Sequence, residues 1–329
     1  MTEPTVSVVI RVFNCERYIG QAIESVLTQT FQDFEMVIVD DASTDGTETI
    51  LQTFAQRDER IRISKNETNQ GPVRTMNIGL RHARGEFVAV QDADDVSLPH
   101  RLETQVNFLR ANSQIALVGG GAYYIDEESE EIKVVNWGHK GPKEAKQGLQ
   151  EGYFFIHSSV MFRQKCIEAI GFYDEFFLYA HDYDMLIRMA NTFDIVYYKE
   201  PLVKFRFLNS GITRGKRQAQ SAFGKLARAR GKAEQDGVSL NLQQEFNRLM
   251  AREAIMGHSR PISDAAYYCK IGRLLLEQGK PKKARKRFSR ALKHREDANA
   301  CLRALGGYIL SFLPGAITSK LVQVLQRAI

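Results

Sequence analysis

The stretch "VSVVIRVFNCERYIGQAIESVLTQTFQDFEMVIVDDAS", residues 6–43, decides the fold. It opens with "VSVVIRVFN", apolar and β-branched, the composition of a strand buried on both faces. "CERYIGQAIESVLTQT" then sets Ile19, Ile23 and Leu27, with Val26, at helical spacing. "FEMVIVDDAS" returns to a buried strand that ends in Asp40 and Asp41. Strand, helix and strand in this order make a βαβ unit, whose two strands run parallel.

Downstream the pattern repeats. "TDGTETILQTFAQR" opens on a helix-start signal, Thr44-Asp45-Gly46, and "IRISKN" is a short strand. "NQGPVRTMNIGLRHARG" reads as a loop and a helix that closes near Gly85. "EFVAVQDADD" is the next strand, and "SLPHRLETQVNFLRAN" a helix with Pro99 in its first turn. From about residue 115 the rhythm changes. "IALVGGGAYYID" and "IKVVNWG" suit a strand pair, and "FFIHSSVMFRQKCIEAIG" a loop, a strand and a short helix. "FDIVYYKEPLVKFRF" reads as two edge strands around Pro201, and no strand-like segment follows Thr213.

The expected architecture is therefore α/β. A mostly parallel central sheet flanked by helices occupies residues 1–213, and a basic α-helical region occupies 214–329. Within that region Tyr268, Ile271, Gly272, Leu275, Gly279, Ala284, Phe288 and Ala291 fall at the spacing of a tetratricopeptide (TPR-like) helix pair near 265–295. One such pair cannot bury both its faces and must pack on neighbouring helices.

Composition narrows the function classes. The chain has 329 residues, 43% of them hydrophobic and 26% charged, which fits a soluble globular protein. Cys15, Cys166, Cys269 and Cys301 are scattered without a Cys-x-x-Cys pair, which argues against a disulfide framework or a zinc site and for a reducing cytoplasm. The N-terminus lacks the basic flank and apolar core of a signal peptide, and "GGYILSFLPGAI" (306–317) is too short to cross a bilayer. Charge is unevenly placed: residues 214–329 hold 24 Lys and Arg against 8 Asp and Glu, and the remainder holds 21 against 31. An acidic front suits a cation site. A basic rear suits either plain solvation or an anionic membrane surface, to which "KPKKARKRFSR" and the amphipathic "LVQVLQRAI" would hold a peripheral enzyme. Nucleic acid is not expected, because the basic run lacks interleaved stacking aromatics.

In open α/β sheets ligands bind beyond the carboxyl ends of the strands. Two such ends carry aspartates here: Asp40-Asp41, and the trio Asp92, Asp94 and Asp95. Three readings compete for the trio. Asp95 or Ser97 can cap the helix after Pro99, which accounts for one carboxylate. A calcium loop needs oxygen ligands at alternate positions, and "VSLPH" supplies few. A Mn²⁺ or Mg²⁺ ion bridging a diphosphate needs one or two carboxylates, with phosphate oxygens and water filling the rest. Neither a Gly-x-Gly-x-x-Gly fingerprint nor a P-loop is present, so a nucleoside diphosphate held through metal remains.

Three segments in order, the opening stretch through Thr47, "NQGPVRTMNIGLRHARGEFVAVQDADD" and "GFYDEFFLYAHDYDMLIRM", resemble the successive motifs of family 2 inverting glycosyltransferases of the GT-A fold. The likeness spans roughly residues 5–210. It implies transfer of a sugar from a nucleotide diphosphate sugar, usually of uridine, to a hydroxyl of a glycan or lipid-linked acceptor. Phe13 then stacks on the base, Asp41 hydrogen-bonds it, Asp92 lies near the ribose and Asp94 is the metal ligand. Arg74 and Asn77 lie where the family contacts the nucleotide or its phosphates, and Asp182 in "HDYD" matches the general base, with Asp184 as its internal control. His157 resembles a position on the acceptor side. His181 stands where the family often has an acidic residue, and Leu208 where it often has a metal-approaching His, although Arg206 is kept. Two other functions compete. A nucleotidyltransferase shares the Asp-x-Asp logic, but "RVFNCERY" is not its glycine- and cation-rich first loop. A scaffold with a degenerate transferase domain would bind a partner through the basic tail.

Overall fold

The computed structural model describes residues 3–152, 155–208, 217–255, 263–294 and 297–312. The segment "LVQVLQRAI" and the end of "GGYILSFLPGAI" lie outside the described residues. The chain groups into two compact units. The first is Met1–Ala122, Val135–Phe205 and Gln218–His258, and the second is Tyr123–Val134, Arg206–Arg217 and Ser259–Ile329.

The sheet begins as the sequence leads one to expect. Strands β1 (Val6–Val12), β2 (Phe34–Asp40), β3 (Ile61–Lys65) and β4 (Phe87–Asp92) are parallel, in the order β3-β2-β1-β4. Helices α1 (Ile19–Leu27), α2 (Thr47–Arg57) and α3 (Pro72–His82) make the crossovers. Beyond β4 the order continues β8 (Met161–Arg163), β6 (Ile115–Ile125), β9 (Asp194–Arg206) and β5 (Val96–Ser97), and β7 (Glu131–Val135) pairs with β6. Here pairing turns antiparallel: β8 against β4 and β6, and β5 against β9. The parallel character thus belongs to the first four strands, which are joined by the helical crossovers that parallel pairing requires.

β9 corrects one expectation. It runs unbroken through Pro201, where two edge strands were anticipated. A proline removes only its own N–H from a ladder. Helix α5 (Pro142–Glu151) was not anticipated; its signals are Pro142 at the start and Ala145 and Leu149 four apart, both buried.

Alternation along the strands sends side chains to two cores. Val6, Val8 and Ile10 of β1 join Ile23 of α1, Leu51 of α2 and Val106 of α4 (Arg101–Ala111). Val9 joins Met76 of α3, Leu149 of α5 and Leu186 of α7 (His181–Thr192), together with Leu226 of α8 (Arg217–Gln235) and Leu249 of α9 (Leu242–Ile255). The composition shifts at residue 213, whereas packing groups α8 and α9 with the sheet. Their apolar faces, not their charge, decide where they belong.

The second unit joins the β6–β7 hairpin to α10 (Asp264–Glu277), α11 (Pro281–Ala291) and α12 (Ala298–Leu310). Ile271, Leu275, Ala284, Phe288 and Ala291 are buried together there. Gly272 and Gly307 leave room for the Phe288 ring: a Cβ on either would stand 2.6 and 2.4 Å from it. The basic run of α11 turns to the acidic hairpin. Arg287 pairs with Asp126 and Glu128, Arg290 with Glu127 and Glu128, Lys286 with Glu128, and Lys283 with Glu130.

Candidate active site

Register sets the site. Val12 stands opposite Asp40, and Arg11 opposite Asp92, so β1, β2 and β4 end along one edge. The loops after them carry Phe13, Asp41 and the turn from Ala93 to Asp95. Left-handed backbone outside glycine is uncommon and gathers at functional sites. Among the described residues four adopt it, and three fall here: Asn14 (φ 47), Ala42 (φ 61) and Ala180 (φ 60), directly before His181. Asn14 ties two loops together, its N–H donating to Ser43 Oγ at 2.9 Å and its Oδ1 accepting from Thr44 N at 2.8 Å. Phe13, at the rim, remains 48% exposed.

Asp41 is buried and organises the neighbouring loop. Its Oδ1 accepts from Asn66 Nδ2 and the Gln70 N–H, each at 2.7 Å, and its Oδ2 from the Gly71 N–H at 2.9 Å. Arg74 reaches outward to Glu175 at 2.6 Å and, with Asn66 and Gln70, lines a shallow depression of about 360 Å³. Asn77 is engaged within the fold. It is buried, its Nδ2 donates to Tyr173 O at 2.8 Å, and its Oδ1 accepts from Tyr173 N at 3.0 Å. With the side-chain amide engaged at both ends, it clamps a loop.

The three carboxylates after β4 have separate fates. Asp92 lies 3.4 Å from Arg11 Nη2 and 3.5 Å from His157 Nδ1. Burial by itself would raise its pKa, but His157, Arg11 and His181 outweigh that and hold it well below the usual carboxylate range. Asp95 is buried and accepts from the Ser158 hydroxyl. The following helix has no side-chain cap, so neither Asp95 nor Ser97 caps it. Pro99 precedes its first turn, and Ser97 Oγ donates to Gln91 Oε1 at 2.7 Å. Asp94 sits half-buried on the turn.

Beneath this turn lies a cation that sequence reasoning missed. Arg101 is fully buried, and its guanidinium donates to Val90 O at 2.8 Å, to Gln91 Oε1 and Ser97 Oγ at 3.0 Å, and to Gln105 Oε1 at 3.1 Å. Burial pulls its pKa down to about 9, against the pull of Asp95 and Asp92. Arg11 was missed too. Its signal was a lone charge near the end of an otherwise apolar strand.

Asp182 and Asp184 occupy the first turn of α7, and the structure separates them. Asp184 is 1% exposed and held by Arg188 Nε at 2.8 Å and Arg230 Nη1 at 3.2 Å. Arg230 also pairs with Asp174 at 2.8 Å, and Arg188 donates to Phe172 O at 3.0 Å. Asp184 is therefore a brace for α7 and the preceding loop. Asp182 is half-buried, accepting from the Tyr183 N–H at 2.9 Å.

Three rings close the site: His157, Tyr173 and His181, with centroids 5.6–5.9 Å apart. His157 Nε2 is 2.9 Å from Tyr173 Oη, so this ring is clamped between Tyr173 and Asp92. Burial pushes the Tyr173 hydroxyl far above its usual range and keeps it protonated. His181 is 8% exposed, and neither ring nitrogen has a hydrogen-bond partner within the protein. Burial, aided by Arg11 and His157 and opposed by Asp182, lowers its pKa to about 3, so the ring is neutral.

The metal expectation can be tested on these donors. Among the described residues no three His, Cys, Asp or Glu side chains converge as ligands. Asp92 is already engaged by Arg11 and His157. Arg206, kept from the segment in which Leu208 replaces a histidine, donates to Asp126 O at 2.9 Å and braces the hairpin. Asp94, half-buried on the turn, is a carboxylate of the kind that Mg²⁺ or Mn²⁺ takes singly, with phosphate oxygens and water filling the other positions.

A sheet of this topology, edged by aspartates at the strand ends, is that of a GT-A-type transferase. Two solved structures share the fold. S. aureus TarS in complex with UDP-GlcNAc aligns with a TM-score of 0.58 at 17% identity, over 93% of this chain and 90% of that one. The mannosyltransferase PcManGT from Pyrobaculum calidifontis, in complex with GDP-Man and Mn²⁺, aligns with a TM-score of 0.52 at 18% identity, over 98% and 85%. At that identity the likeness speaks for the fold alone.

The glycosyl transferase family 2 model matches residues 7–171, and the chain belongs to that family. It is 35% identical over 212 residues to an uncharacterized glycosyltransferase of Methanocaldococcus jannaschii, covering 64% of this chain and 73% of the relative. It is 36% identical over 176 residues to the putative glycosyltransferase EpsE of Bacillus subtilis, covering 52% and 60%.

Proposed function

We propose that this glycosyltransferase moves a sugar from a nucleoside diphosphate sugar, a UDP-sugar first among candidates, to a hydroxyl of a glycan or lipid-linked acceptor with inversion. The observation that carries the reading is the division of labour on α7. Asp184 is locked by two arginines, while Asp182 stands half-buried beside the His157–Tyr173–His181 cluster. UDP is placed first because the motifs resemble those of a family that usually takes uridine donors.

Asp182 takes the proton of the acceptor hydroxyl. The acceptor oxygen forms its bond to the anomeric carbon as the bond from that carbon to the phosphate oxygen breaks, and the electron pair leaves with the diphosphate. Phe13 stacks on the base, and Asp41, with the loop it orders, holds the nucleoside end. Asp92, fixed by Arg11 and His157, faces the ribose. Arg74 borders the phosphates from the rim. His181, neutral, offers a hydrogen-bond donor and acceptor to a sugar hydroxyl, on the acceptor side. Asp94 would hold a divalent cation, which when bound neutralises charge on the diphosphate.

The test is a donor screen by calorimetry with UDP-, GDP- and dTDP-sugars plus Mn²⁺, followed by transfer assays on the Asp94→Ala variant. Expected are binding of one donor class and loss of transfer in the variant with its fold intact. Full transfer by Asp94→Ala, or no nucleotide binding at all, would overturn the reading, the latter in favour of a scaffold.

A further inference from the structure

The expected membrane contact rested on the basic run of α11 and on "LVQVLQRAI"; the latter lies outside the described residues, and the structure neutralises most of the former. Lys283, Lys286, Arg287 and Arg290 all pair with carboxylates of the hairpin within the second unit. The unit's exposed character lies instead on α12. Ala300 and Ala304 face inward and are fully buried. On another side Leu302 is 68% exposed, Leu305 45% and Ile309 58%, and Phe312, just past the helix, 59%. Steps of three, four and three residues put these four on one stripe. Among the described residues nine large apolar side chains are exposed, so this stripe holds nearly half of them.

Cations predominate along it. From Ala298 to Ile329 the sequence contains no Asp or Glu, and its charges are Arg303, Lys320 and Arg327. Arg303 is exposed beside Leu302, and Arg285 of α11 stacks 4.1 Å over the Phe312 ring. Asp297, which caps the start of α12 and lies near Arg303, is the acidic residue at the helix start. An apolar stripe with Arg303 and Arg285 on its rim is complementary to anionic headgroups over acyl chains. A second copy of this chain is a poorer occupant, because a two-fold contact sets each patch against itself and brings like charges together. Among the described residues no helix is long and apolar enough to cross a membrane, so the contact is with the surface.

We propose that the α12 face docks on an anionic lipid surface, with Leu302, Leu305, Ile309 and Phe312 entering the headgroup–acyl boundary and Arg285 and Arg303 meeting phosphates. The inference stands apart from the transferase reading, since vesicle binding needs neither donor nor acceptor.

The experiment is flotation of the full chain with vesicles of phosphatidylcholine, with and without phosphatidylglycerol, at low and high salt. Oligomeric state is followed by light scattering. Expected is binding that requires phosphatidylglycerol and weakens with salt. The double variant Leu302→Asp/Ile309→Asp lowers it at least about tenfold. Lys283→Gln/Lys286→Gln leaves it nearly unchanged, because those cations already face carboxylates. Leu305→Ser/Phe312→Ser gives a second reading should the first variant lose its native circular dichroism. The proposal is overturned by absence of binding at low salt, or by binding that survives both apolar variants. It is equally overturned by a wild-type dimer that these variants dissociate while lipid binding stays as it was.

Discussion

The turn bearing Asp92, Asp94 and Asp95 and the hairpin bearing Asp126, Glu127, Glu128, Glu130 and Glu131 are equally dense in carboxylates, but their countercharges differ in kind. The hairpin is neutralised from within its own unit. Arg287 Nε donates to buried Asp126 at 2.8 Å, and Lys286, then Arg287 and Arg290, hold Glu128 down to about 2. In the turn, Asp92 has Arg11 and His157, and Asp95 has Ser158 and the nearby charge of Arg101. Asp94 stays half-buried where the strands end. Density of acid in a sequence thus says little about ligand binding. What the fold packs against each carboxylate has to be read residue by residue.

That contrast can be broken most directly at α7, where the two kinds of carboxylate lie two residues apart. Asp182→Asn should lower kcat by about 10²–10⁴-fold with UDP affinity unchanged, as steady-state kinetics and calorimetry would show. Asp184→Asn should instead lower the melting temperature, since it leaves Arg188 and Arg230 short of a partner. If the two variants exchange phenotypes, the assignment fails.

Next in size is the hairpin. Arg287→Met strands Asp126, which is 0% exposed, without its main countercharge. A loss of about 3–5 kcal/mol in urea unfolding is expected, with donor binding intact. A change within experimental error would mean that the hairpin's cations are as dispensable as surface charges.

Phe13→Ala should weaken UDP binding by about 1–3 kcal/mol, the usual worth of one stacked base, and leave the melting temperature alone because the ring is 48% exposed. Unaltered affinity would remove Phe13 from the site.

The smallest effect is on acid stability. His181 has a pKa of about 3 in the fold against 6.5 for the free side chain, so between those values the unfolded chain binds a proton that the folded chain does not. Stability should therefore fall as pH drops below about 6.5, by at most about 1.4 kcal/mol per pH unit. The depressed pKa of Asp92 adds a loss in the same direction at lower pH, below its ordinary 3.8. His181→Asn should flatten the melting-temperature profile between pH 7 and 5, and an unchanged slope would show that the ring is not held neutral.

Much of the fold was legible because its signals are local. Buried parallel strands read as apolar runs, and the helices between them as periodic ones, so β1 to β4 and their helices follow from composition and spacing. The loop, strand and helix around His157 were legible for the same reason. Pro201 misled because a local breaker signal says nothing about which ladder positions the neighbouring strands use. The clamp made by Asn77 was not legible, because nothing local announces that its amide meets the backbone of residue 173, ninety-six positions away. Arg101 left no mark at all, since a lysine- and arginine-tolerant helix start does not announce that its guanidinium is buried.

By itself the sequence determined the first four strands with their helices, the family, and the placing of aspartates at strand ends, all of which depend on residues near one another in the chain. Only the tertiary structure decided that Asp126 and Asp184 are held by arginines from distant segments, and that the basic run of α11 is turned to the hairpin. Those outcomes depend on charges that meet across tens to hundreds of residues. A charge's worth depends on burial and on the partner that folding brings to it, and neither is a property of its neighbours in sequence.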